Sequence, residues 1–461
     1  MVEQHQSSQQ KFVRQGKRCF SCCRWFQCTH LWLSVACLPW QLSPACIISC
    51  PVCIIFNCCC DLQHLKPIVS TLHQPLVDVL RESEHVQAYD IAISMWSLAS
   101  LRMANEHVLG ALSDRMLTMV NRLNATDMAH VMWACGSIQY HKSPLLLEEI
   151  VSASLHQIHD FKPCELSMLA WGMCKTNHRS RPVLTAAAER VVQAPEDFTT
   201  EELVRLVWVF TKTRFTESRD MGVHAAALRE LVKPDRLHDM LPQDHANLLW
   251  ALAGLRVRVS AADLDLIADT ATKHVMRCKS SELANIVYGF GSLMHQHDEL
   301  LLSAADEVVR RSGQMSSQEL CMVIWAFGKL GVVPEDGQLL ASAAKEFMAR
   351  MQVDELSPLT MSNSIKAFAK LEFLPEAEYM DALSASTVAT MHKFQMAELS
   401  NLLWAYQQLE WADRELFERA EEFVIENMHL CSRHHVSSFV SSLKRSGYMC
   451  CLLYTSPSPR D

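Results

Sequence analysis

Glycine and proline are scarce in this chain, 13 and 16 of 461 residues. So few breakers argue against a loop-rich fold and suit helices. Basic charge is not in excess either. Lys and Arg number 42 against 51 Asp and Glu, for a net charge of −9 and a pI near 6.2. The total therefore does not mark a nucleic-acid binder, although local stripes matter more than totals. Also missing are a Gly-rich phosphate loop, an HExxH pair, and a Ser or Cys nucleophile in a supporting context. The 21 histidines are dispersed. These absences point to a protein that is no enzyme and takes no metal, cofactor or small-molecule substrate.

Cysteine is not scarce, but its placement is uneven. Eleven of the 19 lie between Cys19 and Cys60, in a run with neither helical nor strand period. Three readings stay open for this run. Cys19-x-x-Cys22 and Cys50-x-x-Cys53 have the spacing of paired zinc thiolates. Leu31–Cys60 has the length of a membrane span but is broken by Pro39, Gln41, Pro44, Pro51 and Asn57. The third reading is noncoding sequence read through in frame, which leaves 1–65 disordered or non-native and no membrane association expected. At the other end, 451–461 (CLLYTSPSPRD) resembles translated sequencing-adapter DNA. A targeting peptide or a further C-terminal domain would then lie beyond what can be read here. The remaining cysteines, such as Cys135, Cys174 and Cys321, sit inside helical patterns as small hydrophobes.

Between these ends, over 66–450, one short pattern recurs. SSQELCMVIWAFGKLG (Ser316–Gly331) is its clearest copy. Aligned on the tryptophan, the marker positions are Trp96, Trp133, Trp171, Trp208, Trp250, Tyr288, Trp325, Lys366, Trp404 and Val440, 36 to 42 residues apart. A fixed period of this size predicts an all-α, right-handed α-solenoid of about ten helical hairpins, the last one truncated. Each repeat reads as helix A, a turn, and helix B. Six residues before the marker stands an acid in eight of the ten repeats, in the first helical turn where the dipole favours it. Thr199-x-x-Glu202 and Ser316-x-x-Glu319 form capping boxes. Pro163, Pro242 and Pro358 fall at the first helical position.

At 100° per residue, positions −5, −2 and +2 (with +5) gather opposite the marker and predict the core face. Positions −4 and +1 are small throughout, which predicts A helices packed side by side. The marker, position −3 and position +4 remain as an open face that would line a groove. Position −3 includes His130, Arg205, Asn247, Asn285, Asn363 and Asn401, and position +4 includes Lys175, Lys212, Lys329, Lys370 and Lys444. The aromatics Trp96, Trp133, Trp171, Trp208, Trp250, Tyr288, Trp325 and Trp404 offer planes on which bases stack. The polar column can address base edges and the lysines phosphates. Each feature also has a structural reading: the rings as packing wedges, the asparagines as ties to turn carbonyls, the lysines as solvated charges.

The motif E-L-x-N-[IL]-[LV]-W-A-[FLY]-x-[KQ]-L, as in ELSNLLWAYQQLEW and SELANIVYGFGSL, resembles the octotricopeptide and heptatricopeptide repeats. Such repeats occur in organellar RNA-binding proteins, including the FAST-kinase-domain and RAP-domain families. A similar helical region occurs in a subunit of the kinetoplastid RNA-editing substrate-binding complex. The resemblance implies a mitochondrial or chloroplast protein that binds single-stranded RNA, alone or within an RNA-processing complex. Its implied roles are RNA processing, stability, editing or translation. The alternative is an Armadillo-like scaffold whose asparagines clamp an extended peptide. The sign of the groove separates the two: a basic lining favours RNA, an acidic one a basic peptide.

Overall fold

A computed structural model describes residues 77–78, 86–255, 258–334, 337–353, 356–431, 437 and 439–442. The cysteine-rich run, the last 11 residues and Lys444 lie outside these. Among the described residues every regular element is a helix, and the order is that of repeated hairpins. The first two repeats are α1 (Ala88–Ser100), α2 (Glu106–Leu117), α3 (Ala125–Ser137) and α4 (Pro144–His156). Repeat three is α5 (Pro163–Lys175) and α6 (Arg181–Gln193). Repeat four begins with α7 (Thr200–Lys212), and its B segment breaks into α8 (Glu217–Asp220), α9 (Val223–Leu231) and α10 (Pro234–Asp239). Repeats five and six are α11 (Pro242–Leu255), α12 (Ala261–Thr272), α13 (Ser280–Leu293) and α14 (Asp298–Arg311). Repeats seven to nine are α15 (Ser317–Leu330), α16 (Gln338–Met351), α17 (Pro358–Lys370), α18 (Ala377–Thr390), α19 (Met396–Gln408) and α20 (Arg414–Glu426).

The chain divides into two compact units, residues 1–160 with 175–178, and 161–174 with 179–461. Within each, A helices pack on A helices and B on B, with the A-to-A contacts the more extensive. This is the stacking that defines an α-solenoid.

Each A helix has its length set by its own sequence. The acid six residues before the marker does more than sit in a favourable dipole. In all eight repeats that carry it, from Asp90 to Glu398, the carboxylate accepts the N–H of the residue before the helix at 2.7 to 3.4 Å. That bond satisfies a donor the helix leaves orphaned. The far end is fixed as regularly. Six residues after the marker the chain turns left-handed, at Arg102, Gln139, Asn177, Arg214, Met294, Gly331, Glu372 and Glu410. The N–H one residue later bonds back to the carbonyl five residues earlier, as in Tyr140 to Cys135, Phe215 to Phe210 and Trp411 to Tyr406, at 2.9 to 3.0 Å. These are Schellman caps, with the usual apolar contact across them in Phe210–Phe215 and Phe368–Phe373. Trp411, the tryptophan off the marker column, is one of these cap residues.

Three of the four core columns are buried as expected: Leu283, Ile286 and Phe290 are at most 1% exposed, and their counterparts in repeats one to nine are buried too. Position +5, at the end of the helix, is only half-buried in several repeats, as at Leu293. Positions −4 and +1 are buried in repeats one to nine against neighbouring A helices. The approach is closest where glycine permits it. A Cβ on Gly289 would lie 2.6 Å from the Leu249 Cβ, and one on Gly291 2.6 Å from the Ala326 Cβ. Hydroxyls at −4 add a bond between repeats, as in Ser362 Oγ donating to the Glu398 carbonyl at 2.9 Å.

The turn carbonyls are claimed from the outer layer, not by the asparagines of position −3. Arg236, Arg311 and Arg350 each donate at 2.7 Å to a turn carbonyl of the preceding repeat: Phe198, Cys278 and Met315. Gln157 does the same toward Leu123 at 3.2 Å. An arginine in the last turn of a B helix thus locks that repeat to the one before it.

Candidate functional site

With three faces of each A helix consumed by packing, one strip is left. It consists of position −3, the marker and position +4. In repeats one to nine the first two are half-buried, and in most the third is exposed. The spacing 3 and 4 places them on one line along the helix.

In the first two repeats this strip is uncharged apart from a histidine. Trp96 contacts Trp133 with ring centroids 6.1 Å apart, and His130 lies against Trp96 at 5.7 Å. In the second unit Trp208 meets Trp250 at 6.1 Å and Tyr288 meets Trp325 at 5.0 Å, with planes tilted by 38° and 32°. A base slid between two rings needs about 7 Å, twice the ~3.4 Å stacking distance. The paired rings therefore pack on each other and leave only their outward edges and faces open. Trp171 and Trp404 occupy the same column, half-buried like the rest.

The polar column is arranged less uniformly than its sequence suggests. Arg205 donates to Ser167 Oγ at 3.1 Å and pairs with Glu201. Asn247 Oδ1 accepts from Gln243 at 3.0 Å, and Asn401 Oδ1 accepts from Lys366 Nζ at 2.7 Å. Asn285 and Asn363 make no side-chain hydrogen bond with the described residues and keep their amides for solvent or ligand. Lys175, Lys212, Lys329 and Lys370 all stand exposed in the last turn of an A helix. The helix dipole favours a cation there. Lys212 Nζ also lies over the Trp250 ring at 5.8 Å.

Lys366 is the residue that sequence reasoning passed over. It holds the marker position in repeat eight, where the other repeats from one to nine have an aromatic, and a search for what repeats reads such an exception as noise. The structure places it half-buried in mid-helix, its Nζ 5.9 Å from the centre of the Trp404 ring. Burial pulls its pKa below the ordinary lysine value, and the charges of Lys370 and Lys329 push the same way. No carboxylate among the described residues pairs with any of the three.

Charge separates the two layers. From position −3 to +4, the open strip of α5, α7, α11, α13, α15, α17 and α19 carries Lys175, Arg205, Lys212, Lys329, Lys366 and Lys370 and no carboxylate. One turn earlier, Glu201 alone intrudes, and it pairs with Arg205. On the long B helices carboxylates outnumber Lys and Arg by about two to one. Clusters of His, Cys, Asp or Glu fit to hold a metal are absent among the described residues, and no described helix is long and apolar enough to cross a membrane.

A stacked helical-repeat protein with a cationic strip on its A layer is the class that fold and site define. Residues 254–420, from the end of α11 into α20, match the family model described as the Tbc2 translation factor, N-terminal domain. The match spans about a third of the chain and includes Lys329, Lys366 and Lys370. No curated protein matches the chain.

Proposed function

We propose that this protein is an organellar single-stranded RNA-binding factor. It acts in translation or another RNA-level step of mitochondrial or chloroplast gene expression, by binding and not by catalysis. The observation that carries this reading is the sign of the strip: cations on the A layer of a chain whose net charge is −9. Exposed lysines beside half-buried aromatics, with amides such as Asn285 and Asn363 between them, are the groups a single-strand groove uses. The similarity of 254–420 to a translation-factor domain supports the same direction. A groove for a basic peptide would need the opposite sign.

The test is binding of the full chain to a random pool of single-stranded RNAs across a salt titration. Counterion release gives a log–log slope of about −0.7 per phosphate contact on single strands. The expected slope is about −3 to −4. Absence of binding at low salt by folded, helical protein sinks the RNA reading and turns the search to acidic peptides.

A further inference from the structure

Over repeats one to nine the aromatic row breaks once, at repeat eight, and the break is filled by charge. Trp325 and Trp404 stand two repeats apart with Lys366 between them. Trp325 is covered by Tyr288 on its other side, and Trp404 has Lys366 over its ring. Neighbouring A helices lie about 8–10 Å apart, so the two tryptophans flank a gap roughly two helix widths across. Three lysines and the unpaired amide of Asn363 open onto it.

The last-turn position accounts for Lys329 and Lys370 through the helix dipole. It does not account for Lys366, which stands mid-helix, loses hydration by burial, and has two cations and no anion for neighbours. A half-buried charge in such company is unfavourable unless something compensates it. Among the described residues its one hydrogen-bond partner is the Asn401 amide oxygen, a neutral acceptor.

We propose that repeat eight is a phosphodiester clamp. Lys366, Lys329 and Lys370 hold the RNA backbone there, and the bases are read on the tryptophan-bearing repeats to either side. This rests on the RNA reading above and adds a register: one site in the row is blind to base identity. The strand is pinned by its charge at repeat eight and read by ring and amide elsewhere.

The experiment uses the full chain and an RNA selected from a random pool. Lys366→Gln is expected to lower the magnitude of the salt slope by about 0.7 and affinity at 0.1 M salt by about fivefold, while Lys366→Arg keeps both near wild type. Lys366→Trp, which restores the marker, is expected to lose the same slope. An abasic residue walked along the RNA should cost at least about fivefold opposite the tryptophans and almost nothing at one position. That silent position should become sensitive in Lys366→Trp. Circular dichroism and urea midpoints check that each variant is folded. If wild type binds RNA and Lys366→Gln leaves the slope unchanged, the clamp is wrong and the RNA reading stands. If wild type binds no RNA, both fall.

Discussion

The A layer and the B layer are built from helices of similar length, yet they hold together in different ways. A helices meet through small residues. Gly289 and Gly291 let the backbones of α11, α13 and α15 come within touching distance. B helices are acidic, and many of their ion pairs run along one helix, as in Arg310–Glu307 and Arg414–Glu418. Their grip on the preceding repeat comes from single arginines reaching turn carbonyls. The lesson is a division of labour. Close apolar seams fix the spacing of the cationic strip on the A layer, and the B helices carry most of the negative charge of the two layers.

Acid tests both layers at once and should have the largest effect. His224 in α9 and His245 in α11 are buried, and burial, the largest cause in each, lowers both to a pKa of about 4 from the usual 6.5. A histidine depressed on folding contributes stability that is whole above its unfolded pKa. That contribution is lost as pH falls from about 6.5 through 4. The expected loss is on the order of 3 kcal/mol per histidine at the acid end, from about 1.4 kcal/mol per pH unit. Urea midpoints measured from pH 7 to 4 read it. Among the described residues His224 has no hydrogen-bond partner at either ring nitrogen, so His224→Leu should remove the outer layer's share and flatten the curve. A curve that does not change on that substitution would contradict the assignment.

Charge comes next. Replacing Lys329, Lys366 and Lys370 together by Gln should cost roughly a hundredfold in RNA affinity at 0.1 M salt and about 2 units of slope. Glu418→Gln with Glu422→Gln on α20 should change neither. Equal effects from the two sets would erase the distinction between layers.

Packing can be compared with a single substitution made twice. Gly291→Ala forces a methyl against Ala326 and should cost about 1–3 kcal/mol in urea denaturation. Gly313 follows α14, where an added Cβ meets only Glu346 Oε1 at an ordinary 3.5 Å. Gly313→Ala should stay within about 0.5 kcal/mol of wild type.

The smallest expected effect is on the caps. Glu282→Ala removes the carboxylate that accepts the Lys279 N–H at 2.8 Å, with an expected loss of about 1 kcal/mol. Removing Glu415, an exposed first-turn acid of α20, should cost less, because the helix start there is held by Asp413 accepting from Leu416.

Much of this was legible in the sequence, because a repeat states its rule many times. The period gave the hairpins, and the columns gave the buried, packed and open faces. Pro163, Pro242 and Pro358 start helices where they were expected to. What stayed hidden depends on partners in other repeats. The tie from Arg311 to Cys278 links residues 33 apart, and nothing in either local pattern announces it. The left-handed cap residues escaped notice because seven of those eight are not glycine. The position is forced by the Schellman bonds, so Arg, Gln, Asn, Met and Glu all serve. The asparagines looked alike in one column, yet Asn247 and Asn401 are engaged and Asn285 and Asn363 are not.

The fourth repeat has a consequence for how such a protein changes over time. Its marker lies 42 residues before the next, against 37 for the first repeat. The extra chain is absorbed by the broken outer segment α8 to α10. The ring separation across that junction is 6.1 Å, the same as between Trp96 and Trp133. Insertions taken up on one side thus leave the ruler on the other side unaltered. A lineage is free to lengthen, decorate or recharge the outer segments while the graduations stay put. Sequence drift in length is therefore a poor guide to drift in the spacing of the rings.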